Sequence, residues 1–230
     1  TELTLSSTNI TDDNSIFTCE VSNLLGTELS DEAILFVTKS DERVIGGQQV
    51  LYDFKEGIGN KIFDKSGVGD SLNLAINSQE EVKWLHQGLK LDSTVLISSD
   101  LPAKKIYSSS VLNNEISVEV WITPKNFSDI SAKPIISFAN SPDSSNLIFF
   151  QEFNKSNLRL RTSATSANGT SHFSDENIQN GSPYHIVYCK SDSGNVKIYI
   201  NGVKDNELSI VGDFNNWDST YSFSIGNYMS

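Results

Sequence analysis

The stretch that decides the fold is GNVKIYINGVKDNELSI, residues 194–210. Its first half alternates apolar side chains with Lys197 and Tyr199, the period-two pattern of a strand with one buried face. Asn201 and Gly202 follow, and this pair forms the two-residue type I′ turn that joins antiparallel strands. The stretch therefore predicts a β-hairpin.

The same alternation recurs on both sides of the hairpin. NEISVEVWITP (114–124) places apolar side chains on one face and Glu119 and Trp121 on the other, and NLRLRTSA alternates leucines with Arg159 and Arg161. Further strands are predicted in PIISFA, NLIFFQEF, PYHIVYCK and DSTYSFSIGNYMS, of which PYHIVYCK is apolar on both faces and is expected to be central and covered. No segment has a convincing 3.6-residue period. The fold class predicted is an all-β sandwich of many strands.

The composition limits the classes of partner. The chain has 230 residues, a hydrophobic fraction of 37% and a net charge of -12, which is typical of a soluble globular protein. So acidic a surface repels phosphate backbones, and we expect no nucleic-acid binding. No apolar run is long enough to span a bilayer, no signal peptide is visible, and no membrane insertion is expected.

Residues 3–38 read as three strands, in LTLSSTNI, SIFTCEVSN and DEAILFVT, with NLLGTELS as the turn before the last. Asp13, Ser15, Phe17 and Cys19 occupy alternate positions, and in this pattern residues 1–38 resemble the second half of an immunoglobulin-like domain, strands E, F and G. The resemblance implies that Cys19 pairs with a cysteine outside this sequence.

Two other states of Cys19 stay open from the residues alone. Cys19 could be a single buried thiol in an irregular β appendage. A bridge to Cys189, 170 positions further on, has no support in the spacing.

Residues 39–49 are charged and then glycine-rich, and they are predicted to be a linker. After it come, in this order, YDFKEGIGNKIFDKSG, ISVEVWITP, YHIVYCKSDSGNVKIYINGV and YSFSIGN. Residues 50–230 resemble the laminin-G-like (LamG-like), concanavalin A-like jelly roll in these segments. In that family a final strand follows the last of them, so the resemblance implies a jelly roll that lacks its last strand.

Catalytic residues are not predicted. Glucanases of this fold carry acidic side chains at alternate strand positions, whereas Glu115 and Glu119 are about 13 Å apart and Ser117 lies between them. The three histidines, His86, His172 and His185, show no zinc-site spacing and are assigned structural roles. The chain is therefore not expected to be an enzyme.

Calcium is a possible ligand, since domains of this kind bind it at a loop rim. Asp53 and Asp64 are the candidate ligands, and Asp70, Asp213 and Asp218 also lie in or beside predicted turns. No loop pattern supports the site. The alternative for Asp64 is that it caps its own turn through a local hydrogen bond.

Six side chains are candidates for ligand binding: Glu119, Trp121, Arg159, Arg161, Tyr199 and Trp217. If the strands of the first five are neighbours, one sheet face carries aromatic rings and charges, which suits a sugar. The alternatives are that Glu119 pairs with an arginine across the sheet, that Trp121 is core, and that Trp217 plugs the sandwich end.

These features predict a non-catalytic recognition module, for carbohydrate binding or cell adhesion, within a larger modular extracellular or cell-surface protein. The expected partner is a glycan or an extracellular protein. One alternative is a structural, protein–protein spacer in a surface or viral appendage. The other is an accessory domain of an enzyme whose catalytic domain lies outside these residues.

Overall fold

The computed structural model describes residues 5, 8–35, 37, 45–86, 88–92, 95–125 and 132–228. The chain divides into two compact units, Thr1–Gln48 and Gln49–Ser230. The finer division into a partial immunoglobulin-like domain, a linker and a jelly roll without its last strand stays a prediction.

The first unit consists of short antiparallel strands. They are β1 Ser15–Phe17, β2 Glu20–Asn23, β3 Gly26–Leu29 and β4 Ala33–Leu35, after a 3-10 turn at Ile10–Asp12. β1 pairs with β4, and β2 pairs with β3. SIFTCEVSN is thus two strands rather than one, because Cys19 exchanges hydrogen bonds with Ser30. NLLGTELS is not only a turn, since its second half forms β3. Half of the predicted strand at residues 3–10 lies outside the described residues, and residues 8–10 are not a strand.

The second unit holds most of the strands. They are β5 Lys61–Ile62, β6 Leu74–Ile76, β7 Val82–Leu85, β8 Gly88–Leu91, β9 Ile97–Pro102, β10 Ile116–Ile122, β11 Lys133–Ser141, β12 Ser144–Glu152, β13 Lys155–Leu160, β14 Thr170–Phe173, β15 Tyr184–Lys190, β16 Asn195–Ile200, β17 Val203–Ser209 and β18 Ser222–Ile225. One helix, α1, spans Lys104–Asn113, and a 3-10 turn spans Gln79–Glu81.

Two antiparallel sheets are built from these strands. The smaller has the order β10-β15-β16-β17, and the larger has the order β14-β13-β12-β11-β18-β9-β6-β5. Neighbours in the larger sheet are often distant in sequence, as in a jelly roll. β7 and β8 form a separate hairpin.

The core lies between the two sheets. Tyr188 of β15 meets Phe149 of β12 edge-on, with ring centroids 5.6 Å apart, and both are almost fully buried. Ile186 and Ile198 of the smaller sheet have no exposed surface. Burying a side chain of this size contributes about 1.5–3 kcal/mol, so the inner faces account for much of the stability.

The all-β sandwich is confirmed, and the hairpin at residues 194–210 is formed by β16 and β17. The central position of β15 is also confirmed, although its outer face is only half-buried. One other expectation is wrong: although no segment has a convincing helical period, a helix does occur in the second unit.

Helix α1 was not predicted from the sequence because its serine-rich segment, KKIYSSSVLN, has no strong apolar stripe. Its buried residues are Ile106 and Ser110, one turn apart. Asn114 ends the helix in the left-handed conformation, with φ of 52°.

Candidate functional site

The smaller sheet turns one face away from the core. On β10 the side chains of Ser117, Glu119 and Trp121 are exposed while the alternate apolar ones face inward. We call this surface the outer face. Its members on the other strands include His185, Val187, Cys189, Lys197 and Tyr199, all partly exposed.

Trp121 is the most prominent side chain on the outer face, with 58% of its surface exposed. Directly across the strand pair lies His185, and the two rings are stacked, with centroids 4.3 Å apart and planes 16° apart. Aromatic pairs with this geometry contribute about 0.5–1.5 kcal/mol beyond burial. The indole is therefore held in place while much of its surface remains open to solvent.

Glu119 fixes the imidazole from the same strand as Trp121. Its Oε1 lies 2.9 Å from Nε2 of His185, and the side chains are 41% and 22% exposed respectively. One alternative prediction was that Glu119 pairs with an arginine across the sheet. The neighbouring strand instead brings His185 to Glu119, because β10 pairs with β15, which carries no arginine.

The Asn201-Gly202 turn also contacts His185. The backbone N–H of His185 donates to Oδ1 of Asn201 at 3.0 Å, and the N–H of Asn201 donates to the carbonyl of His185 at 2.8 Å. The turn therefore fixes the backbone of His185 while Glu119 fixes its ring.

Tyr199 lies two strands from Glu119, across Val187 in one register row. The two residues are therefore about 10 Å apart at normal strand spacing. The next register partner of Tyr199 is Lys204 on β17. Glu119, Trp121 and Tyr199 thus share one face, as the sequence suggested.

A charged network occupies the far side of the outer face. Glu207 accepts a hydrogen bond from Lys204 at 2.7 Å and one from the amide of Asn195 at 2.9 Å, and Lys197 lies 4.0 Å away. The bond from Lys204 and that from Asn195 lower the pKa of Glu207 to about 2, and Glu207 raises the pKa of Lys204. These lysines are thus already paired with a carboxylate.

The two arginine candidates do not join this face. Arg159 lies on β13, in the larger sheet, where its guanidinium is 5.0 Å from the ring centre of Phe150 and donates to the carbonyl of Pro142. Arg161 follows β13. The expectation that all five residues share a sheet is wrong, because β13 pairs with β12 and β14 rather than with β10 or β16.

Trp217 is buried, with 4% of its surface exposed. Its indole N–H donates to the carbonyl of Arg161 at 2.7 Å, and its ring packs against Phe214 and edge-on against Phe138. Trp217 is therefore a core residue, in line with the alternative that it plugs the sandwich end, and it offers no free ring to a ligand.

The calcium candidates have other partners. Asp64 accepts hydrogen bonds from the N–H groups of Leu51, Ser66 and Leu72 at 3.0–3.1 Å and pairs with the Lys105 ammonium. The bond from Ser66 is the local turn cap considered as the alternative. A carboxylate bound in this way has no oxygen to offer a cation, so Asp64 does not fit calcium.

Asp53 pairs with Lys55 at 3.8 Å. Asp213 and Asp218 accept turn hydrogen bonds, chiefly from Asn215 and Thr220 respectively, which lower the pKa of each. Among the described residues, no three His, Cys, Asp or Glu side chains lie close enough together to hold a metal ion.

Both cysteines have free thiols, with Cys19 exposed and Cys189 half-buried. The exposure of Cys19 differs from the alternative of a buried thiol. Its pairing with a cysteine outside this sequence stays a prediction. In the described part of the chain, no helix has the length and apolar character to cross a bilayer.

The sequence predicts a structural role for His185 and does not place it among the ligand-binding candidates. The signal is the register between β10 and β15, which sets Trp121 opposite His185 across 64 residues of sequence. Local patterns do not encode that register.

Similar folds occur in solved structures of toxin binding domains. The binding domain of botulinum neurotoxin serotype C1 has a TM-score of 0.57 at 13% identity, over 80% of this chain and 44% of that one. The binding domain of botulinum neurotoxin DC, in complex with rat synaptotagmin II, gives 0.57 at 13%, over 79% and 44%. The serotype D ligand binding domain, in complex with N-acetylneuraminic acid, gives 0.54 at 13%, over 79% and 43%.

These likenesses show a common fold, and the chain spans less than half the length of those domains. No curated protein sequence matches it. A laminin G domain model, described as the concanavalin A-like lectin/glucanases superfamily, matches residues 101–230, which is more than half of the chain. The chain therefore belongs to the concanavalin A-like lectin/glucanases superfamily.

Proposed function

We propose that this protein is a non-catalytic recognition module that binds carbohydrate on the outer face of its smaller sheet. The observation that carries the proposal is the Trp121 indole, which is 58% exposed yet stacked on His185. Tryptophan is enriched at binding surfaces, because its large rigid ring offers contact area and its N–H a hydrogen bond to a partner.

The chemistry of the outer face suits a sugar. One face of a pyranose ring presents C–H groups that pack against an indole, and the hydroxyl groups at its edge hydrogen-bond to carboxylates and phenols. Glu119 lies on the strand of Trp121, and Tyr199 lies two strands away. Binding sites typically combine an apolar surface with a few polar groups of this kind.

Proteins of the same fold support a binding role. Two of the toxin binding domains carry, by their descriptions, rat synaptotagmin II and N-acetylneuraminic acid. A protein and a sugar are the two partner classes expected for this chain. Laminin G-like domains are commonly extracellular, and we propose an extracellular or cell-surface location within a larger modular protein.

A protein–protein role is the second candidate, and the first unit favours it. Leu24 and Leu25 at the β2–β3 turn are almost fully exposed, at 105% and 97%, and Val21 and Leu29 on the two strands exceed 60%. Such an apolar surface suits a protein partner better than a sugar. An accessory role beside a catalytic domain is the third possibility.

A glycan array tests the proposal with three proteins. They are the unchanged chain, Trp121→Ala and Leu112→Ala, the last being a control that removes another exposed apolar side chain, 84% exposed on α1. We expect binding to one glycan class that weakens about tenfold or more in Trp121→Ala, as for an aromatic anchor, and is unchanged in Leu112→Ala.

Two outcomes contradict the proposal. One is the absence of any glycan signal from folded protein, which favours the protein–protein role. The other is equal binding by the unchanged chain and Trp121→Ala, which places the sugar elsewhere. Thermal unfolding of each variant shows whether it is folded.

A further inference from the structure

His185 contacts each group that holds the candidate site together. Its ring is stacked on Trp121 at 4.3 Å, and its Nε2 bonds to Glu119 at 2.9 Å. Its backbone N–H and carbonyl both bond to Asn201. The imidazole is thus fixed by β10 and by the β16–β17 turn, and the indole of Trp121 lies against a ring that cannot easily reorient.

We propose that His185 is a positioning residue, which sets the orientation of the Trp121 indole and makes it respond to protonation of the imidazole. The effect of His185 on glycan affinity rests on the carbohydrate binding proposed above. The effect of His185 on the Trp121 indole does not rest on it and is measurable in the free protein.

The two protonation states of His185 hold Trp121 differently. A neutral imidazole stacks on the indole as one aromatic ring on another and has a single N–H to donate. A protonated imidazole forms an ion pair with Glu119 and brings positive charge to the indole face, where a cation–π attraction adds to the stacking.

Other titratable side chains share the outer face with His185. In the described residues they are Glu119 on β10, Cys189 on β15, Lys197 and Tyr199 on β16, and Lys204 and Glu207 on β17. A response of Trp121 to pH is therefore assigned to the imidazole by comparison with a variant that lacks it.

Trp121 is placed more firmly as the pH falls, and a firmly placed anchor loses less freedom when it binds. An exposed cation–π contact corresponds to about two- to fivefold in an equilibrium constant. Only the part of this contact that differs between the free and the bound protein changes affinity, so we expect affinity for a glycan to be higher at pH 5 than at pH 8 by at most about fivefold.

The first experiment follows tryptophan fluorescence of the free protein from pH 8 to pH 5. A protonated imidazole in contact with an indole quenches its emission, so we expect one titration step with a loss of intensity. His185→Phe keeps a stacked ring but cannot titrate, and Trp121→Phe removes the reporter, so both should lose the step. His86→Ala is the matched control, because His86 is exposed and follows Trp84 closely in sequence.

Each outcome of this titration supports or overturns the inference. A step that is present in the unchanged chain and in His86→Ala, and absent in the other two variants, supports it. A flat titration of the unchanged chain overturns it, as does a step that persists in His185→Phe. Unfolding midpoints show that the variants are compared as folded proteins.

The second experiment measures glycan affinity at pH 8 and pH 5. The unchanged chain should bind more tightly at pH 5, by at most about fivefold, and His185→Phe should show no difference while still binding. Equal affinity of the unchanged chain at both pH values overturns the coupling to binding. If no glycan binds at all, the proposed function fails, and the fluorescence titration still decides the role of His185.

Discussion

The tryptophans show how little a residue type says about its own environment. Trp121 lies in an alternating strand, Trp217 lies in a polar loop sequence, and the sequence made both candidates for ligand binding. Only Trp121 is exposed, whereas the indole N–H of Trp217 donates to the carbonyl of Arg161 inside the sandwich. A buried indole needs such a partner, and only a distant segment supplies it.

Asp64 and Lys105 form an ion pair whose side chains are only 1% and 13% exposed. Burial alone would raise the pKa of Asp64, but the bond from Lys105 and the N–H groups of Ser66 and Leu72 outweigh it and lower the pKa to about 2. Ionised Asp64 is therefore favoured in the folded state. The stabilisation, about 2 kcal/mol, is present above the unfolded pKa of about 4 and is lost as the pH falls towards 2.

We expect Asp64→Asn to destabilise the protein at pH 7 by about 3–5 kcal/mol, because Lys105 is left buried without its counter-ion. Its stability should also change less than that of the unchanged chain between pH 4 and pH 2. Urea unfolding at several pH values measures both effects. Asp70→Asn, an exposed acid in the same region, is the control and should follow the unchanged chain. Parallel pH curves for Asp64→Asn and the unchanged chain would show that the pair contributes nothing.

At the scale of elements, tight turns decide the geometry on both sides of β16. Gly194 precedes it with φ of +84°, and Gly202 follows it with φ of +80°. A Cβ at Gly202 meets nothing within 4 Å, whereas a Cβ at Gly194 lies 2.2 Å from the carbonyl oxygen of Ile210. The two glycines share the same backbone requirement but differ in the space around them.

Gly202→Ala should therefore destabilise the protein by about 1–2 kcal/mol, the penalty for a side chain in the left-handed region. Gly194→Ala should exceed it clearly, at about 4 kcal/mol or more, because Ile210 is hydrogen-bonded to Gly194 and cannot move away freely. Urea unfolding midpoints compare the two. Equal losses would show that the chain near Ile210 adapts without penalty.

Some secondary-structure elements are predicted by the local sequence and others are not. β10, β16 and β17 follow the alternation and the Asn-Gly turn that mark them in the sequence. β14 and α1 do not, since each takes its form from neighbours: β14 pairs along β13, and α1 buries Ile106 in the core. Tertiary packing can override a weak local preference.

At the scale of the whole molecule, charge is the dominant property. The net charge of -12 repels polyanions at long range, and the lysines of the outer face are already paired with Glu207. We expect no retardation of double-stranded DNA by this protein in a gel at 50 mM salt, where salt screens charge–charge interactions only weakly. A shift that disappears with added salt would show a basic surface strong enough to overcome the net charge.

The sequence by itself determined the class of fold, the faces of the main strands and the position of the central hairpin. Alternation and turn residues express these features locally, so they can be read without knowing any distant contact. Only the tertiary structure decided which strands are neighbours. It placed Arg159 and Trp121 in different sheets, buried Trp217, and set His185 against Trp121, because register and sheet order depend on how side chains far apart in the chain pack together.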